Sequence, residues 1–104
     1  MFTEIVLFPV PKGFTRAHAL ARFRDNAALW RGKPGLLRKQ YLYDEATGRA
    51  GGAYLWTSRE AAAAAHNPAW QAEIARMFGA APSIEIFETP VVVDNEVETP
   101  RMAA

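Results

Sequence analysis

Five side chains with chemistry to offer crowd into one stretch: Tyr54, Trp56, His66, Asn67 and Trp70. A histidine titrates near neutrality and can move protons. Asparagine amides and tyrosine hydroxyls donate hydrogen bonds, and an indole face accepts a flat ring by stacking. A ligand site, if the chain has one, is expected here. Each of these residues also has a packing role. His66 precedes an Asn-Pro pair at a helix end, where the dipole favours it. Asn67 is a good helix cap, and Trp56, Trp70 and Trp30 are candidates for the core. Two residues upstream join the candidate binding set, Tyr41 and Arg38; an arginine on a strand suits a carboxylate or an exposed ion pair. His18 falls in the first turn of a helix and reads as a surface residue.

The elements that must hold these groups are legible. Arg49 to Trp56 reads as a strand with Gly51-Gly52 inside it, marking a bulge or a close approach by another backbone or a ligand. Thr57-x-x-Glu60 has the form of a capping box, and the alanine run 61–65 carries the helix on at little entropic cost. Asn67-Pro68 then breaks and restarts it, since Asn67 can cap and Pro68 has no amide to leave unpaired. Trp70, Ile74, Met77 and Phe78 recur at helical spacing up to a glycine stop at Gly79.

Earlier in the chain, Phe2 to Phe8 alternates as a strand, with Phe2, Glu4, Val6 and Phe8 on one face. Thr15 caps a helix with Leu20, Phe23, Ala27 and Trp30 as its buried stripe, and Gly32 ends it. Leu36 to Tyr43 forms the second strand, with Leu36, Arg38, Gln40 and Leu42 on one face and Leu37, Lys39, Tyr41 and Tyr43 on the other. A hairpin through Asp44–Gly48 leads back. The last strand, Ser83 to Phe87, resumes as Val91–Val93 beyond Pro90, which a central strand would not accept. A single domain over 1–93 is expected, with a C-terminal tail over 94–104 that is loose or packed on a partner subunit.

Composition sets the class. Half of the 104 residues are hydrophobic and 22% are charged, as in a globular domain. A formal charge of +1 supplies no basic excess for nucleic acid. There is no cysteine, which removes disulfides, thiolate catalysis and cysteine metal ligands and is compatible with a reducing cytoplasm. No spacing of histidines and carboxylates gives a metal signature. The apolar start, Ile5–Val10, is too short for a membrane span.

The order β-α-β-β-α-β is the split pattern of the ferredoxin-like α+β fold, an antiparallel sheet with two helices on one face. The other face is then open, with Tyr41 and Tyr43 placed on it. Covering so large an apolar surface with a second copy gives a two-fold homodimer.

The element order, Pro34-Gly35-Leu36 opening strand two, and the run Gly51-Gly-Ala-Tyr-Leu-Trp-Thr-Ser58 resemble the dimeric α+β barrel superfamily, and within it the YdhR-like monooxygenases of the antibiotic-biosynthesis monooxygenase type. The resemblance implies a homodimer with a pocket between helices and sheet in each subunit. It also implies oxygenation of a small aromatic or quinone-like compound without metal, haem or flavin. Such chemistry needs a base, hydrogen-bond donors for an anion and an aromatic wall. His66 is then the expected base, Asn67 and Tyr54 the donors, and Trp56 and Trp70 the clamp on a flat ring, with Arg38 and Tyr41 beside them. His66-Asn-Pro-Ala-Trp70 is closer to the wider antibiotic-biosynthesis group than to the YdhR-like pattern. Haem-degrading relatives carry an axial histidine where Glu73 or Ile74 stands here.

Two other readings share this element order. One is a dimer of the same fold that only binds or sequesters a small ligand. The other is an RNA-recognition domain, which needs stacking aromatics on strand three; Gly51 and Ala53 stand where they belong.

Overall fold

The computed structural model describes residues 1–96 and, as backbone, residues 101–102. The elements run β1 (Phe2–Pro9), α1 (Arg16–Trp30), β2 (Leu36–Asp44), β3 (Arg49–Trp56), α2 (Arg59–Ala65), α3 (Pro68–Phe78), β4 (Ser83–Glu88), β5 (Val91–Val92) and β6 (Arg101–Met102). The first four strands form one antiparallel sheet in the order β2-β3-β1-β4. With the helices packed on one face, this is the ferredoxin-like α+β fold. β5 leaves that sheet after Pro90 and pairs with β6. Of the C-terminal tail expected from the sequence, 97–100 and 103–104 lie outside the described residues.

The helix ends follow local rules, with one shift. Thr15 caps α1 by accepting from the His18 amide, while His18 Nδ1 accepts from the Thr15 amide, so His18 is a capping residue. Asn67 caps α3 by accepting from the Trp70 amide at 2.9 Å, and Gly79 ends α3 in the left-handed region. At α2 the cap is Ser58, not Thr57: its hydroxyl accepts from the Ala61 amide at 3.1 Å. Thr57 is still held as an extended residue, its amide donating to the Gly35 carbonyl at 2.8 Å. The helix therefore starts one residue later than expected, and Glu60 does not close a capping box.

The faces of the sheet are set by register. Phe2, Glu4, Val6 and Phe8 of β1 lie opposite Trp56, Tyr54, Gly52 and Ala50 of β3, and this is the face under the helices. In β2 the pairing slips between Leu36 and Arg38. The extra residue turns Leu36 to the helix face beside Lys39, Tyr41 and Tyr43, and leaves Arg38, Gln40 and Leu42 on the other. Two expectations change as a result. Leu36 packs against the core instead of sharing a face with Arg38. Tyr41 and Tyr43 lie beneath the helices, where Tyr41 stacks on Phe23 with ring centroids 4.7 Å apart and Tyr43 donates to the Phe14 carbonyl.

The two strand glycines also have separate reasons. A Cβ on Gly51 would sit 1.8 Å from the Val6 carbonyl oxygen, and one on Gly52 would meet the Tyr54 phenol ring at 2.9 Å. Pairing of β1 with β3 is continuous through both, so neither marks a bulge; one admits a backbone and the other a ring. The core between sheet and helices holds Val6, Trp30, Tyr54, Trp56 and Ala62. On α1 the residues turned inward wholly or in part are Ala19, Leu20, Phe23, Asn26 and Trp30, whereas Ala27 is exposed.

Candidate active site

A cavity of about 350 Å³ lies between α1, α3 and the sheet, within the usual range for small-molecule sites. Phe8, Phe14, Phe23, Trp30, Tyr41, Tyr54, Trp70 and Phe78 wall it with rings, and Ile74 and Met77 complete the apolar surface. The rings brace one another: Phe8 lies 4.6 Å from Phe78, and Phe14 meets Phe78 edge-on. Asn26 fixes one wall by accepting from the Tyr41 hydroxyl at 2.7 Å. Polar groups are few on this wall: Arg22 and Asp25 are exposed, while two others, with no hydrogen-bond partner among the described residues, lie among the rings.

The first is the Tyr54 hydroxyl. Burial raises the Tyr54 pKa above the usual phenol value, and the charge of Glu4 and the neighbouring Tyr41 push it further. It is therefore a permanently neutral donor. The second is the Lys39 ammonium, whose Nζ lies 3.8 Å from the centroid of Trp30, 4.1 Å from that of Tyr41 and 4.8 Å from that of Tyr54. Burial, with Lys33 nearby as a second cause, lowers its pKa to about 7; the three ring faces favour the charged form and pull the other way.

A folded-state pKa below the unfolded value of 10.5 means that the unfolded chain binds more protons in between. Stability should therefore rise with pH from about 7 until tyrosine ionisation begins near 10, and the rise should flatten in Lys39→Met. Urea unfolding across that range checks it.

Behind the cavity wall sits a buried polar group of three residues. Glu4 and His66 are 1% and 3% exposed. Glu4 Oε1 accepts from Trp56 Nε1 at 3.0 Å and lies 2.7 Å from His66 Nδ1. That contact engages one ring nitrogen of His66, and the other, Nε2, is buried with no hydrogen-bond partner among the described residues. The His66 ring contacts Trp70, Tyr54 and Trp30 at 4.4, 4.7 and 5.3 Å between centroids, and those three rings stand between it and the cavity.

The residues singled out from sequence thus divide. Tyr54, Trp70 and Tyr41 line the cavity. His66 lies directly behind it, and Trp56 is completely buried beside His66 without reaching the wall. Asn67 is exposed, and both of its polar side-chain atoms serve the helix junction, accepting from Trp70 and donating to the Ala64 carbonyl. Arg38 points from the opposite face of the sheet and pairs with Asp94 at 3.6 Å.

Sequence reasoning passed over Lys39, Glu4 and the phenylalanines from β1 and α1. A signal existed for the first two: each is a charge at an alternating position among residues that face inward. Among the described residues there is no group of three or more His, Cys, Asp or Glu able to hold a metal ion, and no helix long and apolar enough to cross a membrane.

No protein-family model and no curated protein matches the chain. Solved structures do. An antibiotic biosynthesis monooxygenase-like protein of Caulobacter crescentus aligns over 85% of this chain and 88% of its own at 22% identity, with a TM-score of 0.60. SnoaB, a cofactor-independent oxygenase from Streptomyces nogalater, aligns over 85% of this chain and 91% of its own at 19% identity, with a TM-score of 0.57. The chain has the antibiotic biosynthesis monooxygenase-like fold. MhuD, solved with two manganese protoporphyrin IX molecules per active site, shares this fold at 26% identity over 91% of this chain and all of its own, with a TM-score of 0.65. Within the antibiotic biosynthesis monooxygenase-like fold, the finer YdhR-like likeness rests on the Gly51–Ser58 motif alone.

Proposed function

We propose that the cavity takes a flat, electron-rich aromatic molecule and that the protein oxygenates it with O2. The observation that carries this reading is the ring-walled cavity with two polar groups set among its rings, the Tyr54 hydroxyl and the Lys39 amine. For an anthrone-type substrate the chemistry balances simply. The ring-flanked CH2 loses a proton, the carbanion passes an electron to O2, and recombination gives a hydroperoxide. Loss of water then leaves a ketone, with one oxygen atom in the product and one in the water. The aromatic walls hold the ring plane by stacking. Tyr54, kept protonated, donates to the oxygen on which negative charge develops. The cofactor-independent oxygenase among the structural neighbours supports the same chemistry on the same fold.

A porphyrin, as carried by MhuD, suits these residues less well. Imidazole is a common protein ligand to haem iron, and no histidine is on the cavity wall. His66 is engaged with Glu4 behind the rings, and His18 is committed to the α1 cap.

The reading includes a homodimer. The sheet face away from the helices carries Ile5, Leu7, Leu42, Leu55 and Phe87, of which Phe87 is 53% exposed. A second copy on this face would cover it and leave each cavity on the helix side. Phe87→Lys is expected to shift the protein toward the monomer in light scattering; an unchanged mass would count against this face.

Oxygen uptake by metal-stripped protein with anthrones and hydroquinones tests the activity. Uptake above the spontaneous rate is expected, lowered about 100-fold in Tyr54→Phe through loss of the anion's donor. Trp70→Ala should weaken substrate binding about tenfold through loss of a stacking face. No uptake across the panel, with tight binding seen by tryptophan quenching, would favour a protein that only binds its ligand.

A further inference from the structure

We infer that Lys39 is the proton acceptor of this site, and that its substrate is a weak acid, a phenol or an aromatic ketone with an acidic C–H, bound as the anion against the ammonium so formed. The inference rests on the reading of the cavity as the substrate site.

Lys39 sits mid-strand on β2 at an inward position, facing Tyr54 across the ladder. Its Nζ is enclosed by the rings of Trp30, Tyr41 and Tyr54. None of the ion pairs among the described residues includes it. The ionisable groups around it come from α1, the α1–β2 turn, the first three strands and the end of α2, while α3 lines the cavity with Trp70, Ile74, Met77 and Phe78 only. Lys33 approaches from the α1–β2 turn and shares the face of Trp30. Tyr41 is on its own strand, Tyr54 on β3 with Glu4 behind it on β1, and Arg22 and Asp25 reach the same cavity from α1. His66 lies beyond Trp30 and Tyr54 at the end of α2. No carboxylate among these is paired with Lys39, and its nearest cationic neighbour repels it. Burial first, and the repulsion from Lys33 second, lower its pKa to about 7, so a large fraction is the free amine near neutrality.

A free amine among ring faces is a competent base. The substrate's O–H or C–H bond breaks, its electron pair stays on the substrate, and the proton forms a new N–H bond at Nζ. The result is an ammonium beside an aromatic anion. The three ring faces stabilise that ammonium, and its charge attracts the anion at short range in a poorly solvated space. His66 has neither advantage: Nδ1 is held by Glu4, and the ring is screened from the cavity.

The test uses para-nitrophenol, whose neutral and ionised forms absorb at different wavelengths, titrated into the full chain from about pH 5 to about pH 9. Bound dye should be ionised at a pH where free dye is not, with the ionised fraction favoured roughly tenfold or more. Lys39→Met should bind the dye neutral. Lys39→Arg, charged throughout this range, should still hold the phenolate. It should, however, lose the rise of kcat/KM through about 7 that wild-type protein shows with dithranol. Dye ionised equally well by Lys39→Met, or a pH profile unmoved in Lys39→Arg, would overturn the assignment and leave the cavity reading intact. No dye binding by wild-type protein would overturn the cavity reading and Lys39 with it. Ionised dye lost in Lys39→Met, without oxygen uptake by wild type, would support Lys39 and overturn oxygenation alone.

Discussion

Gly51→Ala is expected to unfold this protein or to remove most of its stability. The added Cβ would lie 1.8 Å from the Val6 carbonyl oxygen and 2.8 Å from the Val6 carbonyl carbon. Both are backbone atoms of β1, the central strand that pairs with β3 on one side and β4 on the other, so no side-chain rotation can relieve the clash. The strands would have to part through the middle of the sheet. A cost of about 4 kcal/mol or more is in keeping with the loss of such a feature, set against a total of about 5–15 kcal/mol for a domain. Gly48→Ala is the control. Its Cβ meets nothing within 4 Å, and only the positive φ of 64° opposes it, which costs about 1–2 kcal/mol. Urea midpoints of the two variants test the comparison; a Gly51→Ala protein as stable as Gly48→Ala would show that β1 and β3 do not approach so closely.

Trp56→Ala is expected to cost about 3–5 kcal/mol, the usual range for truncating a buried tryptophan, while leaving ligand affinity per folded molecule unchanged. Trp56 is completely buried, and its one polar atom donates to Glu4. Removing it opens a void in the core and takes one of two hydrogen bonds from a buried carboxylate. Trp56→Phe separates the two effects, since it keeps much of the volume and loses only the donor, at about 1–3 kcal/mol. Chemical denaturation gives both stabilities. Quenching titrations on the folded fraction give the affinity, and a fall there matching that of Trp70→Ala would place Trp56 on the cavity after all.

Trp56 and Trp70 show where reading the sequence stops. Both are tryptophans at the ends of well-marked elements, and the stretch between them was recognisable as the place to look for a site. Nothing within that stretch distinguishes the indole that seals the core from the one that lines the cavity. The difference is made by β1, which brings Glu4 under Trp56, and by the Asn67-Pro68 junction, which swings Trp70 over His66 toward α1. Asn67 went the other way: its capping role was legible, and that role uses up both polar atoms of the side chain.

The sequence by itself determined the element order, the helix break at Asn67-Pro68, the caps Thr15 and Asn67, the stop at Gly79 and the α+β class. These depend on groups a few residues apart: a side chain reaching the next free amide, a proline without a donor, a glycine free to take a left-handed turn. Only the tertiary structure decided which face each strand turns to the helices. One extra residue between Leu36 and Arg38 reverses Leu36, and no local preference in that run announces it. It alone enclosed Lys39 in three rings from α1, β2 and β3, and shut His66 away with a carboxylate 62 residues distant in the chain. Burial and its consequences for charge are sums over neighbours that the chain brings together only when it folds.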